Sequence, residues 1–429
     1  MLKFWSSQIA ATTVAIAACA CTNTAEVSSP INAAAGASST PSGTAGADSI
    51  PDTSDASPPD GSAGRASTKP DPGPPPEPTI GPVMPGVWRD ITPAALRDTV
   101  ASHNPCTDVQ FDPSNRSTLY AMFGEIGVYK STDAGANWAP IGNLPTPTSL
   151  GRLLIDPKDP SHIYATGSVG GSSLGFWVSH DGGNTFAMPP AFVAGAKTTW
   201  IFDVYNLVAD PTDFNHIIMT FHNAWPNQGG NMAGVLESKD GGETYIPHNP
   251  GAGMSVAQGI AFLYHPESGT GNANTWLVGG GYSSGLYRTA DAGTTWTQVD
   301  PLEQDHGGFD AHFSSQGFIY IGAKDGVYRS VDNGVTWQNQ SKDAATKTWT
   351  YSVISDGKYL YSSPAFVGTA YNQPYFVSPE GGKEEGTQWS AMSAQVIPHG
   401  PFKMTYDSVN RLIYSANWAG GIWVLNPAQ

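Results

Sequence analysis

Cysteine is nearly absent from this chain. There are three, two of them (Cys19 and Cys21) close to the N-terminus. Cys106 stands alone in the remainder, which excludes an internal disulfide and a cysteine-built metal cluster there. Basic side chains are also scarce: 20 Lys and Arg against 36 Asp and Glu leave a formal charge of −16. That balance argues against nucleic acid or an anionic lipid surface as a partner. After the first residues no apolar run is long enough to cross a bilayer, so any membrane association must come through an anchor at the N-terminus.

What the chain does have is a repeat. Ser/Thr-x-Asp-x-Gly-x-x-aromatic occurs as Ser131-Asp133-Gly135-Trp138, Ser179-Asp181-Gly183-Phe186, Ser238-Asp240-Gly242-Tyr245, Thr289-Asp291-Gly293-Trp296 and Ser330-Asp332-Gly334-Trp337. A sixth, degenerate copy begins at Ser378, puts Glu380 in the acidic place and reaches Trp389 after a four-residue insertion. The pattern reads as a hairpin turn in which Asp accepts backbone N–H groups, Gly supplies a positive φ and the aromatic opens the next strand. Acidic positions recur at intervals of 48, 59, 51, 41 and 48 residues. Each interval holds four short strand-like runs, as in Val109–Phe111, Thr118–Ala121, Val128–Ser131 and Trp138–Ile141, with a corner such as Asp112-Pro113. Four-stranded repeats of that length are propeller blades.

These motifs resemble the Asp-box (BNR-repeat) propellers, the superfamily of sialidases, xyloglucan-active hydrolases and the sortilin ectodomain. The resemblance covers roughly residues 86–427 and implies an all-β fold, a single seven-bladed propeller of four-stranded antiparallel blades. The last repeat supplies only three strands, while Trp88-Arg89-Asp90-Ile91 repeats the Trp-x-x-Ile spacing of a fourth. The N-terminal strand is therefore expected to complete blade seven and close the ring.

Ahead of this domain (residues 84–429), Met1-Leu2-Lys3 and an apolar run to Ala18 resemble a bacterial lipoprotein signal ending at Cys19. An ordinary secretory signal reads the same run, with the cysteine incidental; either way the protein is exported. With Ala20 after the cysteine, lipidation of Cys19 implies the outer membrane or cell surface. Residues 19–83 are rich in Ala, Ser, Thr, Pro and Gly and are expected to form a disordered tether.

Ligands of such propellers usually bind over the central channel. Counting four residues back from each corner places Asp108, Arg152, Asn206, Ala261, Ser352 and Lys403 on the innermost strands, with Asp310 near the equivalent place in blade five. Loops on the same face add His103, Trp200, Asp203, His306, Tyr351 and His399, then His222, Asn223 and Trp225 from blade three and Asn417 and Trp418 from blade seven. A solvated channel lining accounts for the ring equally well. No two of His103, His222, His306 and His399 stand at a local ligand spacing, so no cofactor is expected; a divalent cation would need the fold alone to bring them together.

The resemblance implies chemistry that can be tested residue by residue. A sialidase needs an arginine triad, and Arg152 is the only arginine on this face. Xyloglucan-type hydrolases divide two catalytic carboxylates between facing propellers, and this chain has one propeller. Two classes remain. The first is an enzyme on an oligo- or polysaccharide: a hydrolase using Asp203 and Asp310, or a uronate lyase using Arg152 or Lys403 with His222, His306 or Tyr351. In either, His103, Asn206, Trp200, Trp225, His399 and Trp418 would bind substrate. The second is a non-catalytic propeller that binds a glycan or a protein. A monomer is expected in both.

Overall fold

The computed structural model describes residues 83–427, apart from segments at 102–104, 146–147, 172–173, 198, 222–233, 250–256, 267–268, 282–284, 303–309, 344 and 366–371. The signal, Cys19 and the tether lie outside the described residues.

Seven four-stranded antiparallel sheets follow one another in chain order. Blade one is Cys106–Phe111, Leu119–Phe123, Gly127–Ser131 and Ala139–Ile141. Blades three to six repeat that order, with innermost strands Val204–Asp210, Ala257–His265, His312–Phe313 and Val353–Ser355. Blade seven begins with Pro401–Asp407, and Trp88–Asp90 lies antiparallel to its strand Gly421–Leu425, with Trp88 opposite Leu425. Cores form between blades, where β-branched and aromatic side chains of adjacent sheets interdigitate: Ile163, Tyr164, Tyr320, Tyr361 and Trp276 are all fully or almost fully buried.

Blade two departs from the repeat. Its inner edge is split into Thr148–Leu150 and Leu153–Ile155, both paired with Ile163–Gly171. Its outer strand shrinks to one bridge between Val178 and Ala187. Pro189 and Pro190 cannot donate to a ladder, and the chain turns instead into a helix, Pro190–Ala196, that buries Phe192.

The repeated turns have a common geometry. In blade one Ser131 Oγ donates to Asp133 Oδ1 (2.8 Å) and accepts the N–H of Gly135 (2.8 Å), while Asp133 Oδ1 also accepts the N–H of Asn137 (2.8 Å). Gly135 has φ +92°, and Ala134 before it is left-handed too. The Trp138, Trp296 and Trp337 indoles each donate to the carbonyl of their own turn glycine (3.2, 2.9 and 3.1 Å). In the sixth copy Glu380 is buried, and its carboxylate takes hydroxyl hydrogen bonds from Ser315 and Ser355 (2.7 and 2.5 Å). The longer side chain reaches past its own turn and ties blade five to blade six.

Candidate functional site

The innermost strands of blades one, three, four and seven each carry a bulge after their first residue, at Thr107, Tyr205, Gln258 and Phe402. A bulge fixes register, because it sets which residue follows it into the ladder. The residues after the bulges and their counterparts in the other blades form one ring: Asp108, Arg152, Asn206, Gly259, Asp310, Ser352 and Lys403. Asp310 belongs to it by register, two residues before His312, which pairs with Tyr320. The corner count fails in blade four. There the inner strand runs on with a second irregularity between Phe262 and Tyr264, so Gly259 takes the place assigned to Ala261.

Within this ring opposite charges meet across the lumen. Arg152 Nη1 of blade two lies 3.6 Å from Asp310 Oδ2 of blade five, and Lys403 Nζ of blade seven lies 3.4 Å from Asp310 Oδ1. Arg152 is 3 % exposed, Lys403 14 % and Asp310 24 %. Burial alone would raise the Asp310 pKa, but Lys403 and Arg152 together outweigh it and hold the carboxylate ionised. Asp108 goes the other way: burial pushes it up more than Lys403 and Arg152 pull it down. Asp108 is fully buried, accepting the N–H of Leu153 (2.9 Å) and the Gln110 amide (2.9 Å). It joins blade one to blade two, as Ser352 Oγ joins blade six to blade seven by accepting the N–H of Met404 (2.9 Å).

One residue closer to the strand starts is an aromatic layer in which Tyr351 and Trp418 were expected from the sequence, while Tyr205, Phe402 and Trp349 were not. Tyr205, Tyr351 and Phe402 pack together from blades three, six and seven, with Trp349 and Trp418 half-buried against them. The Phe402 ring lies 5.1 Å from that of Tyr351 and 5.7 Å from that of Trp418, and the Arg152 guanidinium sits 5.1 Å from its centroid. The signal was available: these are the residues immediately before ring positions. Tyr205 and Phe402 are the bulged residues of their strands, and Tyr351 stands just ahead of Val353–Ser355, so a plain alternating pattern does not single them out.

The other expected site residues divide. Asp203 is half-buried on the segment leading into Val204–Asp210. Trp200 is 7 % exposed and packs with Phe192 and Tyr245 in a blade core, so it offers no ring to a sugar. Asn206 and Asn417 are buried, Asn206 with its Oδ1 on the N–H of Leu207 (2.9 Å). His399 is buried with a left-handed φ of +54°, its carbonyl accepting the Asn417 amide (2.8 Å). His103, His222, Asn223, Trp225 and His306 lie outside the described residues. Among the described residues no group of three His, Cys, Asp or Glu is arranged to hold a metal ion.

A second polar cluster lies between blades three and four. The buried Glu237 carboxylate pairs with His216 Nε2 (2.8 Å), His248 Nε2 (2.9 Å) and Lys239 Nζ (3.3 Å), and His216 Nδ1 pairs with Asp210 (3.3 Å). Burial works against both charges, but the histidine hydrogen bonds bring Glu237 down to about 2, and Glu237 and Asp210 raise His216. A raised histidine contributes stability below its unfolded pKa of about 6.5 and loses it as pH rises through the folded value. A lowered carboxylate contributes above its unfolded pKa of about 4.3 and loses it on acidification. Stability from this cluster should therefore peak at about pH 4.5–6.5. A melting curve at pH 8.5 should show a loss that Glu237→Gln abolishes; an equal loss in the variant would place the titration elsewhere.

No family model matches the chain. In sequence it is 28 % identical over 212 residues to an oligoxyloglucan-reducing end-specific xyloglucanase of Emericella nidulans, covering 46 % of this chain and 24 % of that protein. A xyloglucanase of Hypocrea jecorina is 26 % identical over 275 residues, covering 54 % of this chain and 30 % of the relative. The chain thus spans less than a third of the length of these curated relatives. Among solved structures, YCF48 bound to D1 peptide matches with a TM-score of 0.53 at 13 % identity, over 80 % of this chain and 97 % of that one. The GH74 xyloglucanase from Xanthomonas campestris matches with a TM-score of 0.57 at 19 % identity, over 81 % of this chain and 54 % of that one. At these identities the structural likenesses speak for the propeller fold alone.

Proposed function

We propose that the protein is an exported glycoside hydrolase acting on a neutral, β-linked polysaccharide at the channel mouth. The observation that carries this reading is the aromatic layer of Tyr351, Phe402 and Trp418 set over the Arg152–Asp310–Lys403 bridge. Within that layer Tyr351 and Phe402 are buried and back the half-buried Trp418, whose ring beside fixed charge is what a sugar needs for stacking and orientation. The sequence likeness to xyloglucanases supports the same substrate class.

The charges favour hydrolysis over elimination. A lyase needs a free cation to neutralise a uronate, whereas Arg152 and Lys403 are both committed to Asp310. In a hydrolase Asp310, held ionised, suits the base or nucleophile, and Asp203 is left as the proton donor. His103 and Trp225 keep their assignment as substrate-binding residues, His222 and His306 as catalytic candidates, Cys19 as the lipid anchor and Trp88–Asp90 as the strand that closes the ring. Asp203→Asn should lower kcat on a xyloglucan oligosaccharide by about 100-fold or more with little change in KM. Unchanged kcat would remove Asp203 from the mechanism.

A second reading, a non-catalytic glycan-binding propeller, is favoured by one observation: the double clamp on Asp310 is as good a structural tie as it is a catalytic arrangement. Binding of the polysaccharide without any product would select it.

A further inference from the structure

The blade with the degenerate turn also has an open groove beside it. Between blade five and blade six lies a cavity of about 640 Å³, with Lys342, Asp343, Tyr359, Gln388, Trp389 and Ser390 in its wall. Its origin can be traced to the insertion. The carbonyls of Gly382 and Lys383 accept the two terminal nitrogens of Arg329 (3.0 and 2.9 Å), and Thr387 Oγ1 donates to the Gln340 carbonyl (2.9 Å). The turn is thus fastened onto blade five rather than folded over its own tryptophan. Trp389 Nε1 has no partner among the described residues, whereas Trp138, Trp296 and Trp337 are each held by their turn glycine.

We propose that this groove is a second saccharide-binding site, taking a short stretch of a neutral β-linked glycan away from the channel mouth; the ligand class rests on the functional reading above. Trp389 packs on the blade core formed by Tyr320, Val327, Val353 and Leu360 and also lines the groove, so it stands as a fixed platform. Tyr359, with the Lys358 ammonium 4.9 Å over its ring, forms part of the wall. Exposed Lys342 and Asp343 contribute one charge of each sign, and the Gln388 amide and Ser390 hydroxyl add neutral hydrogen-bonding groups. Nothing in this set selects an ion. Aromatic platforms beside neutral polar groups select an uncharged polyol, and the volume lies within the range of about 300–1,000 Å³ typical of small-ligand sites.

The test is calorimetry of the full chain with a xyloglucan-derived oligosaccharide, carried out for the wild type, Trp389→Ala, the exposed pair Asp343→Ala/Gln388→Ala, and Trp418→Ala. The wild type should show two binding events. Both groove variants should lose one and keep the other, and Trp418→Ala should lose the complementary one. The exposed pair guards against a Trp389→Ala variant that fails to fold. If Trp418→Ala abolishes all binding, the groove proposal is overturned while the channel-mouth site stands. If only the groove variants lose binding, the groove stands and the channel-mouth site falls. Absence of binding to any variant and to the wild type would overturn both.

Discussion

Asp310→Asn is expected to lower the melting temperature by ~5 °C or more and to abolish turnover, because one carboxylate serves two cations. Removing it leaves the Arg152 guanidinium and the Lys403 ammonium facing each other's field in the lumen, with the protonation-prone Asp108 nearby. Breaking a buried pair at one partner costs about 3–5 kcal/mol, and the partial exposure of Asp310 puts the effect near the lower end. A domain of this size loses roughly 2 °C per kcal/mol. The double variant Asp310→Asn/Lys403→Met restores the charge balance and should regain most of the stability. If Asp310 takes part in the chemistry, activity stays lost in that double variant. If activity returns with stability, Asp310 is only an anchor for Arg152 and the aromatic layer above it.

The second large effect belongs to the N-terminal strand. Trp88 is 3 % exposed, packs at a tilt against Tyr375 with ring centroids 4.3 Å apart, and has both its N–H and its carbonyl held by the Gln395 amide (3.0 and 2.9 Å). Ile91 donates its N–H to Ile422 and accepts the Trp138 indole of blade one (2.9 and 2.8 Å). Three blades thus converge on a few residues. Trp88→Ala should cost about 3–5 kcal/mol through lost burial and the cavity left behind. Deleting residues 83–92 removes the partner of Gly421–Leu425 and leaves an unpaired edge, a template for association between molecules. Light scattering and gel filtration should show aggregates for the deletion; a monomer as stable as the parent would show that blade seven needs no closing strand.

The fold was legible because its information is local. Each turn carries its own Ser, Asp and Gly at fixed offsets, and the hydrogen bonds from Ser131 and Asp133 close within a few residues, so a single sequence displays them. Blade two shows the limit of that reading: Pro189-Pro190 announced the end of a ladder, yet nothing nearby announced that a helix would take its place. The site was legible only in part. Asp108, Arg152, Asn206, Ser352 and Lys403 could be put on one ring by counting, since a strand keeps step over four residues. Gly259 could not, because an irregularity changes the count without changing the residue pattern. Nor could the meeting of Arg152 with Asp310, which are 158 positions apart and joined only by closure of the ring. Trp200 looked like a sugar platform because its place in the loop is right, but burial against Phe192 and Tyr245 is a property of packing that composition does not reveal.

The measurement closest to the central claim is product analysis. Full-length protein is incubated with tamarind-type xyloglucan, other neutral β-glucans and uronate-containing polysaccharides, and both reducing ends and unsaturated uronate absorbance are followed. The account predicts new reducing ends from at least one neutral β-linked polysaccharide, their loss in Asp203→Asn, and no unsaturated product. Unsaturated uronate, or binding to the glycan with no product from any substrate, would contradict it.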